Sequence, residues 1–236
     1  MKKIYKIFRE YEKEGKIEKV FDHGIPGKTT YLPHRPHVRE DRDTTKIRPV
    51  FDASVRERGG FSLNDYLHPG PPLLCLIFDI IIRSCFKKIL ITADIRQAFL
   101  NIEIADKHKD LLRFLLVDQE NPSQVQKYRF TRGVFGVNCL PFILCATIIK
   151  HMNSLKGQNE KYDKFIEQFL RDLYMDDEVT VVDDVEDGKR FYEFSSKALA
   201  DAGLDLRKWD SSSLEMREYM SCDEGKEVKK ASWDLL

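Results

Sequence analysis

Ile4, Ile7, Phe8 and Tyr11 recur at i, i+3, i+4 and i+7, which predicts an amphipathic helix over residues 2–20 with a charged outer face, closing near Gly24. Two β-prone runs follow, Thr30 to Val38 and Ile47 to Ala53. The charged stretch 39–46 between them reads as the tip of a hairpin rich in cations. After the stiff break His68-Pro69-Gly70-Pro71-Pro72, the residues Leu73, Leu74, Ile77, Phe78 and Ile81 predict a buried helical stripe. Lys88 to Ala93 is a short apolar run that stops in a carboxylate, Asp94, before helical character resumes over Arg96 to Ile102. It reads as a buried strand.

Leu111 to Val117 and Lys127 to Phe130 predict two more strands, and Pro141 to Leu155 an apolar helix. Tyr162, Phe165, Ile166 and Phe169 predict another helix. Leu173 to Val182 has β-prone flanks around an acidic pair, the pattern of a tight hairpin. A helix over 187–202 ends at Gly203, Leu204 to Trp209 forms a last strand, and residues 211–236 read as a polar, partly disordered tail. The order is mixed α and β with antiparallel hairpins, so the fold class is α+β and a doubly wound nucleotide fold is disfavoured.

Composition changes this picture little. The chain has 236 residues and 39 basic against 39 acidic side chains, so no global field announces a partner. The distribution is uneven: 15 basic and 10 acidic residues up to position 60 leave 24 and 29 beyond it, a net +5 followed by a net −5. The five cysteines are odd in number and never at C-x-x-C spacing, as expected of reduced thiols inside a cell. With neither an apolar leader nor a spanning run, the expectation is an intracellular, cytoplasmic protein with no membrane contact.

The motif inventory is first a set of absences: no G-x-G-x-x-G, no G-x-x-x-x-G-K-[ST], no H-E-x-x-H and no G-x-S-x-G. The carboxylates remain. Asp94 ends an apolar strand, where ionisation is costly without a cation or strong donors. Asp176 and Asp177 sit at the predicted hairpin tip. If the two elements are neighbours, these acids form a hard, oxygen-rich site suited to Mg²⁺, and two such ions can serve phosphoryl transfer. Adjacent acids at a turn are otherwise a solvated loop, so spacing alone leaves both readings standing. Asp183 and Asp184 are different: ahead of a helix they are explained by N-terminal capping.

Seven phrases occur in one order across roughly residues 4–210: Tyr31 to His34, Thr45 to Ser54, Ala93-Asp94-Ile95-Arg96-Gln97-Ala98-Phe99, Phe130 to Asn138, Pro141-Phe142, Tyr174-Met175-Asp176-Asp177 and Leu206-Arg207-Lys208-Trp209. Together they resemble the reverse transcriptase domain of BEL/Pao-type long-terminal-repeat retrotransposons. The resemblance implies right-hand polymerase fingers and palm over 1–210, an antiparallel palm sheet packed on helices, and a thumb missing or truncated, because the chain ends soon after Trp209. It implies that Asp94, Asp176 and Asp177 are catalytic and hold two Mg²⁺ ions, or Mn²⁺, with the backbone carbonyl of Ile95. Arg48 would hold the incoming triphosphate, assisted by Lys46 and Arg39 or Arg42.

On the same resemblance Phe99 would underlie the sugar and exclude a 2′-hydroxyl, Gly136 would let the backbone approach the bases, and Lys208 would protonate departing pyrophosphate. The implied partners are an RNA or DNA template with its primer, a deoxynucleoside triphosphate and the rest of a Pol polyprotein. Leu140 departs from the small residue usual before Pro141, which sets a bulky side chain towards the template. Two alternatives stand beside this reading: an inactive remnant that binds nucleic acid or a partner subunit, and an RNA-copying polymerase, which Phe99 disfavours.

Overall fold

The computed structural model describes residues 2–38, 47–56, 59–117, 121, 123–223 and 225. In chain order the elements are α1 (Lys2–Lys13), β1 (Ile17–Val20), β2 (His34–Val38), β3 (Ile47–Phe51), α2 (Leu63–Tyr66), α3 (Ile77–Ser84), β4 (Ile89–Ile95), β5 (Arg113–Val117), β6 (Val125–Phe130), α4 (Leu140–Ser154), α5 (Glu160–Asp172), β7 (Leu173–Tyr174), β8 (Asp177–Val182), α6 (Val185–Asp201), β9 (Leu206–Ser211) and α7 (Leu214–Asp223). Among the described residues, the pairs formed between these strands are all antiparallel, in agreement with the α+β expectation. The chain divides into two units, residues 1–70 with 99–143 and residues 71–98 with 144–236.

In the first unit, β1, β6 and β5 form one sheet in that order, and β2 with β3 a separate hairpin. The predicted helix over 2–20 is shorter. It stops at Lys13, Gly15 takes the left-handed turn at φ +68°, and Ile17 to Val20 pair with β6. A long-range ladder overrides the local charge pattern there. Phe8, Phe51, Phe114 and Phe130 meet at centroid distances of 4.8 to 6.3 Å and form an aromatic core. Arg113 is buried beside it, its guanidinium donating to Asp22 and Asp110 at 2.8 Å each. Such a charge is tolerated inside only because it is paired and hydrogen-bonded.

In the second unit, four strands run in the order β7-β8-β4-β9. Along β4 burial alternates, with Ile89, Ile91, Ala93 and Ile95 buried and the residues between them half-buried. Ile89 and Ile91 pack with Val182, Tyr192, Met216 and Met220, so α6 and α7 cover that face. A β-carbon at Gly188 would lie 2.9 Å from Met216 Sδ and 3.3 Å from Ile91 Cδ1, which is how closely α6 approaches the sheet. Asp184 caps α6 by accepting from the Asp187 amide at 2.9 Å, as its position in the sequence predicts.

Two expectations for this unit are corrected. Part of the presumed polar tail is α7, whose Met216 and Met220, one helical turn apart, are buried. The stripe predicted to be buried on α3 is exposed instead: Ile77, Phe78 and Ile81 are 52%, 67% and 54% accessible, and Ile80 is the buried residue of that helix. Arg83 moors α3 to the end of α5 through Asp172 Oδ1 at 3.1 Å and the Arg171 carbonyl at 2.8 Å. No helix among the described residues is long and apolar enough to cross a membrane.

Candidate active site

The sheet of the second unit brings the remote acids together. Asp94, at the end of β4, is the cross-strand partner of Asp177, the first residue of β8. Direct partners share a face, and theirs is the one not taken by Ile91 and Ala93. Tyr174 pairs with Asp177, so the tight hairpin forms as expected, but its two-residue tip is Met175 and Asp176 and not the acidic pair: Asp177 already belongs to the ladder. The Ile95 amide donates to the Asp176 carbonyl at 2.7 Å, tying the tip to the end of β4. The structure thus places Asp94, Asp176 and Asp177 at one edge of one sheet.

Backbone strain is concentrated around these acids. Among the described residues, the non-glycine residues at positive φ are Gln97, Met175 and Lys208, at +51°, +59° and +54°. Each costs on the order of 1 kcal/mol and persists only where its surroundings impose it. Gln97 follows Asp94 by three positions, Met175 precedes Asp176, and Lys208 follows Arg207, which pairs with Asp94.

The electrostatics are those of crowded carboxylates. Partial burial pushes the Asp177 carboxyl up, the charges of Asp176 and Asp94 add to this, and Lys208 opposes it. The residue as a whole remains exposed. Asp94 Oδ2 accepts from Lys208 Nζ at 2.9 Å and lies 3.6 Å from Arg207 Nη2. Asp94 Oδ1 is buried with no hydrogen-bond partner. An orphaned carboxylate oxygen beside two further acids is a donor set that a hard divalent cation satisfies. Among the described residues, no group of three or more His, Cys, Asp or Glu is already gathered into a metal cage. The acids fit an ion with Asp94 partly engaged by lysine.

In the first unit, Arg48 is exposed on β3 and pairs with His37 across the hairpin. Its charge is near enough to oppose the rise of the Tyr11 hydroxyl, which burial first and Glu14 second push up to about 12. Lys46, Arg39 and Arg42 lie outside the described residues. Phe99 is only 3% exposed and meets the Phe135 ring edge-on at 4.5 Å. Gly136 stands at φ +103°, and a β-carbon there would lie 2.5 Å from the Phe51 carbonyl oxygen. Only glycine fits that approach.

Leu140 does not present a bulky side chain outwards. It is 2% exposed, and a β-carbon at Gly133 would lie 2.9 Å from its Cδ2. The first turn of α4 turns it inward.

Some relevant residues escape sequence reasoning. Asn64 Nδ2 donates to the Gly136 carbonyl at 2.9 Å and to Ser54 Oγ at 2.8 Å, and its Oδ1 accepts from the Asn138 amide at 3.0 Å. In the second unit, Glu178 is fully buried next to Asp177 but on the opposite face, and neither carboxylate oxygen has a hydrogen-bond partner. Burial first, and the charge of Asp172 second, push its carboxyl well up. The strict alternation of a strand carries the signal for Glu178, because the residue after an open-face acid must face the core.

No family model and no curated protein matches the chain. Among solved structures, the chain is similar to a foamy viral protease-reverse transcriptase in complex with double-stranded DNA, at a TM-score of 0.62 and 18% identity. The match covers 86% of this chain and 30% of that one, so the chain spans less than a third of the neighbour's length. The fold is therefore reverse-transcriptase-like, mixed helix and antiparallel sheet.

Proposed function

We propose that the chain is the fingers-and-palm part of an RNA-directed DNA polymerase of the BEL/Pao type, a nucleotidyltransferase that extends a primer on an RNA or DNA template. One observation carries this reading: Asp94 and Asp177 are cross-strand partners with Asp176 tied to the same strand end, within a reverse-transcriptase-like fold. The second unit corresponds to the palm and the β2–β3 hairpin to the fingers.

Asp94, Asp176, Asp177 and the Ile95 carbonyl would hold two Mg²⁺ ions. Bound there, these ions supply charge neutralisation and lower the cost of ionising the primer 3′-hydroxyl. Arg48, with Lys46, receives the triphosphate of the deoxynucleotide as a planar cationic fork and a point charge. Phe99 closes the space where a 2′-hydroxyl would sit, and Gly136 lets the backbone come close to the bases. Lys208 donates a proton to the leaving pyrophosphate. Catalysis in this scheme is positioning and electrostatics, with no covalent intermediate on the protein. Binding of nucleic acid rests on the fold, since the structural neighbour was captured on double-stranded DNA.

Primer extension with Mg²⁺ tests the proposal. The wild-type chain extends a primed template, and Asp176→Asn loses about 10²–10³-fold in rate, as removal of a group that stabilises transition-state charge does. Equal extension by both proteins overturns the assignment.

A further inference from the structure

Ordinary antiparallel pairing sends consecutive residues to opposite faces, so only one of Arg207 and Lys208 should reach the face that carries Asp94. Both reach it, at 3.6 Å and 2.9 Å from the same oxygen. The cause is an irregularity in β9. Asp94 pairs with Arg207 and Thr92 with Asp210, so Lys208 and Trp209 together oppose the single residue Ala93. The extra residue is Lys208, held at φ +54°, while Trp209 turns to the covered face and packs on Tyr192 at 4.9 Å. Bulges of this kind re-aim a side chain at the expense of ladder pairing and local strain.

The pair they create is asymmetric. Lys208 satisfies Asp94 Oδ2 and leaves Oδ1 buried without a partner. A flexible ammonium that is 43% exposed can also leave its partner without unfolding anything. Asp177 lies on the same face within range of the lysine's charge. The arrangement is that of a counter-ion poised at the acidic edge rather than a structural ion pair enclosed by the fold.

We infer that the β9 bulge makes Lys208 a built-in competitor for divalent cation: it neutralises Asp94 in the metal-free chain, releases that carboxylate when an ion is taken up, and so sets the metal affinity of the site. The inference rests on the proposed acidic centre. It gives the bulge a purpose, because a straight strand would bring Arg207 alone to Asp94.

Binding of Mn²⁺ to the full chain, followed by the loss of the free-ion electron paramagnetic resonance signal, tests it without any turnover. Lys208→Met is expected to bind Mn²⁺ about fivefold more tightly than wild type or better, Lys208→Arg to bind like wild type, and Asp94→Asn to lose binding. Should the methionine variant fail to fold, Lys208→Gly, which accepts the positive φ, replaces it. Affinity in Lys208→Met equal to or weaker than wild type, with Asp94→Asn still impaired, overturns the competitor role and leaves the acidic centre standing. Wild type indistinguishable from Asp94→Asn overturns the acidic centre itself and the inference with it.

Discussion

The Ile95 amide and the Asp176 carbonyl are 2.7 Å apart, a main-chain bond between the residue that follows one acid and the backbone of another. Because backbone holds backbone there, this tie does not depend on the Asp176 side chain. Asp176→Asn is therefore expected to melt within a few degrees of wild type while primer extension collapses. A thermal melt beside the extension assay separates lost chemistry from lost fold.

Glu178 predicts a pH dependence. Its folded carboxyl is raised far above the ordinary value by burial and by Asp172, so the folded state prefers the protonated form. The stability that follows is complete below the ordinary glutamate range and is lost as pH rises through the folded value. Glu178→Gln, neutral at every pH, should remove that loss. Urea denaturation at pH 5 and pH 8 should show a smaller fall for the variant, and equal falls would show that Glu178 does not titrate with folding.

Gly136→Ala tests the close approach to Phe51. At φ +103°, with a carbonyl oxygen 2.5 Å from the new β-carbon, the loss should reach about 2–3 kcal/mol. Gly27→Ala, at φ +75° in open space, should cost only about 1 kcal/mol. Equal losses would mean that dihedral strain alone operates at both positions.

On α3 the pattern and the packing disagree, which makes a sharp comparison. Phe78→Ser should change stability by less than about 0.5 kcal/mol, because its ring is 67% exposed. Ile80→Ala, at 2% exposure, should cost about 2–4 kcal/mol. Denaturant midpoints in the opposite order would show that the outer face of this helix is covered.

Phe99→Val should act twice. Truncating a ring with 3% exposure should lower stability by about 1–3 kcal/mol, and on the proposed function it should raise ribonucleotide incorporation about tenfold or more. Nucleotide selectivity unchanged alongside a lowered melting temperature would leave Phe99 a packing residue only.

Local signals made much of this legible. The hairpin around Asp176, the cap at Asp184, the strands β5 and β6 and the helix stop at Gly203 all follow from spacing and turn chemistry. What escaped is what only the tertiary structure decides. The helix that ends at Lys13 yields to a strand whose partner, β6, is remote in sequence. The α3 stripe shows that periodicity locates an apolar face but not whether anything covers it. The site shows the same division: the acids announce themselves by type and position, whereas the bulge that turns Lys208 onto Asp94 depends on how β9 pairs with β4.

Asn64 and Asn138 exchange hydrogen bonds both ways, side chain to backbone, with Asn64 also holding the Gly136 carbonyl. The segment after β3 and the one before α4 are thus soldered by two amides: the Asn64 side chain uses donor and acceptor at once, whereas the Asn138 side chain only donates, its Oδ1 buried without a partner. At position 64 aspartate has no donor, and the single hydroxyl proton of serine cannot replace the two donations of the Asn64 amide. Divergent copies of this sequence should consequently drift at 64 and 138 in concert, and a lone exchange at either position would be the molecular scar of a lineage losing its grip on this joint.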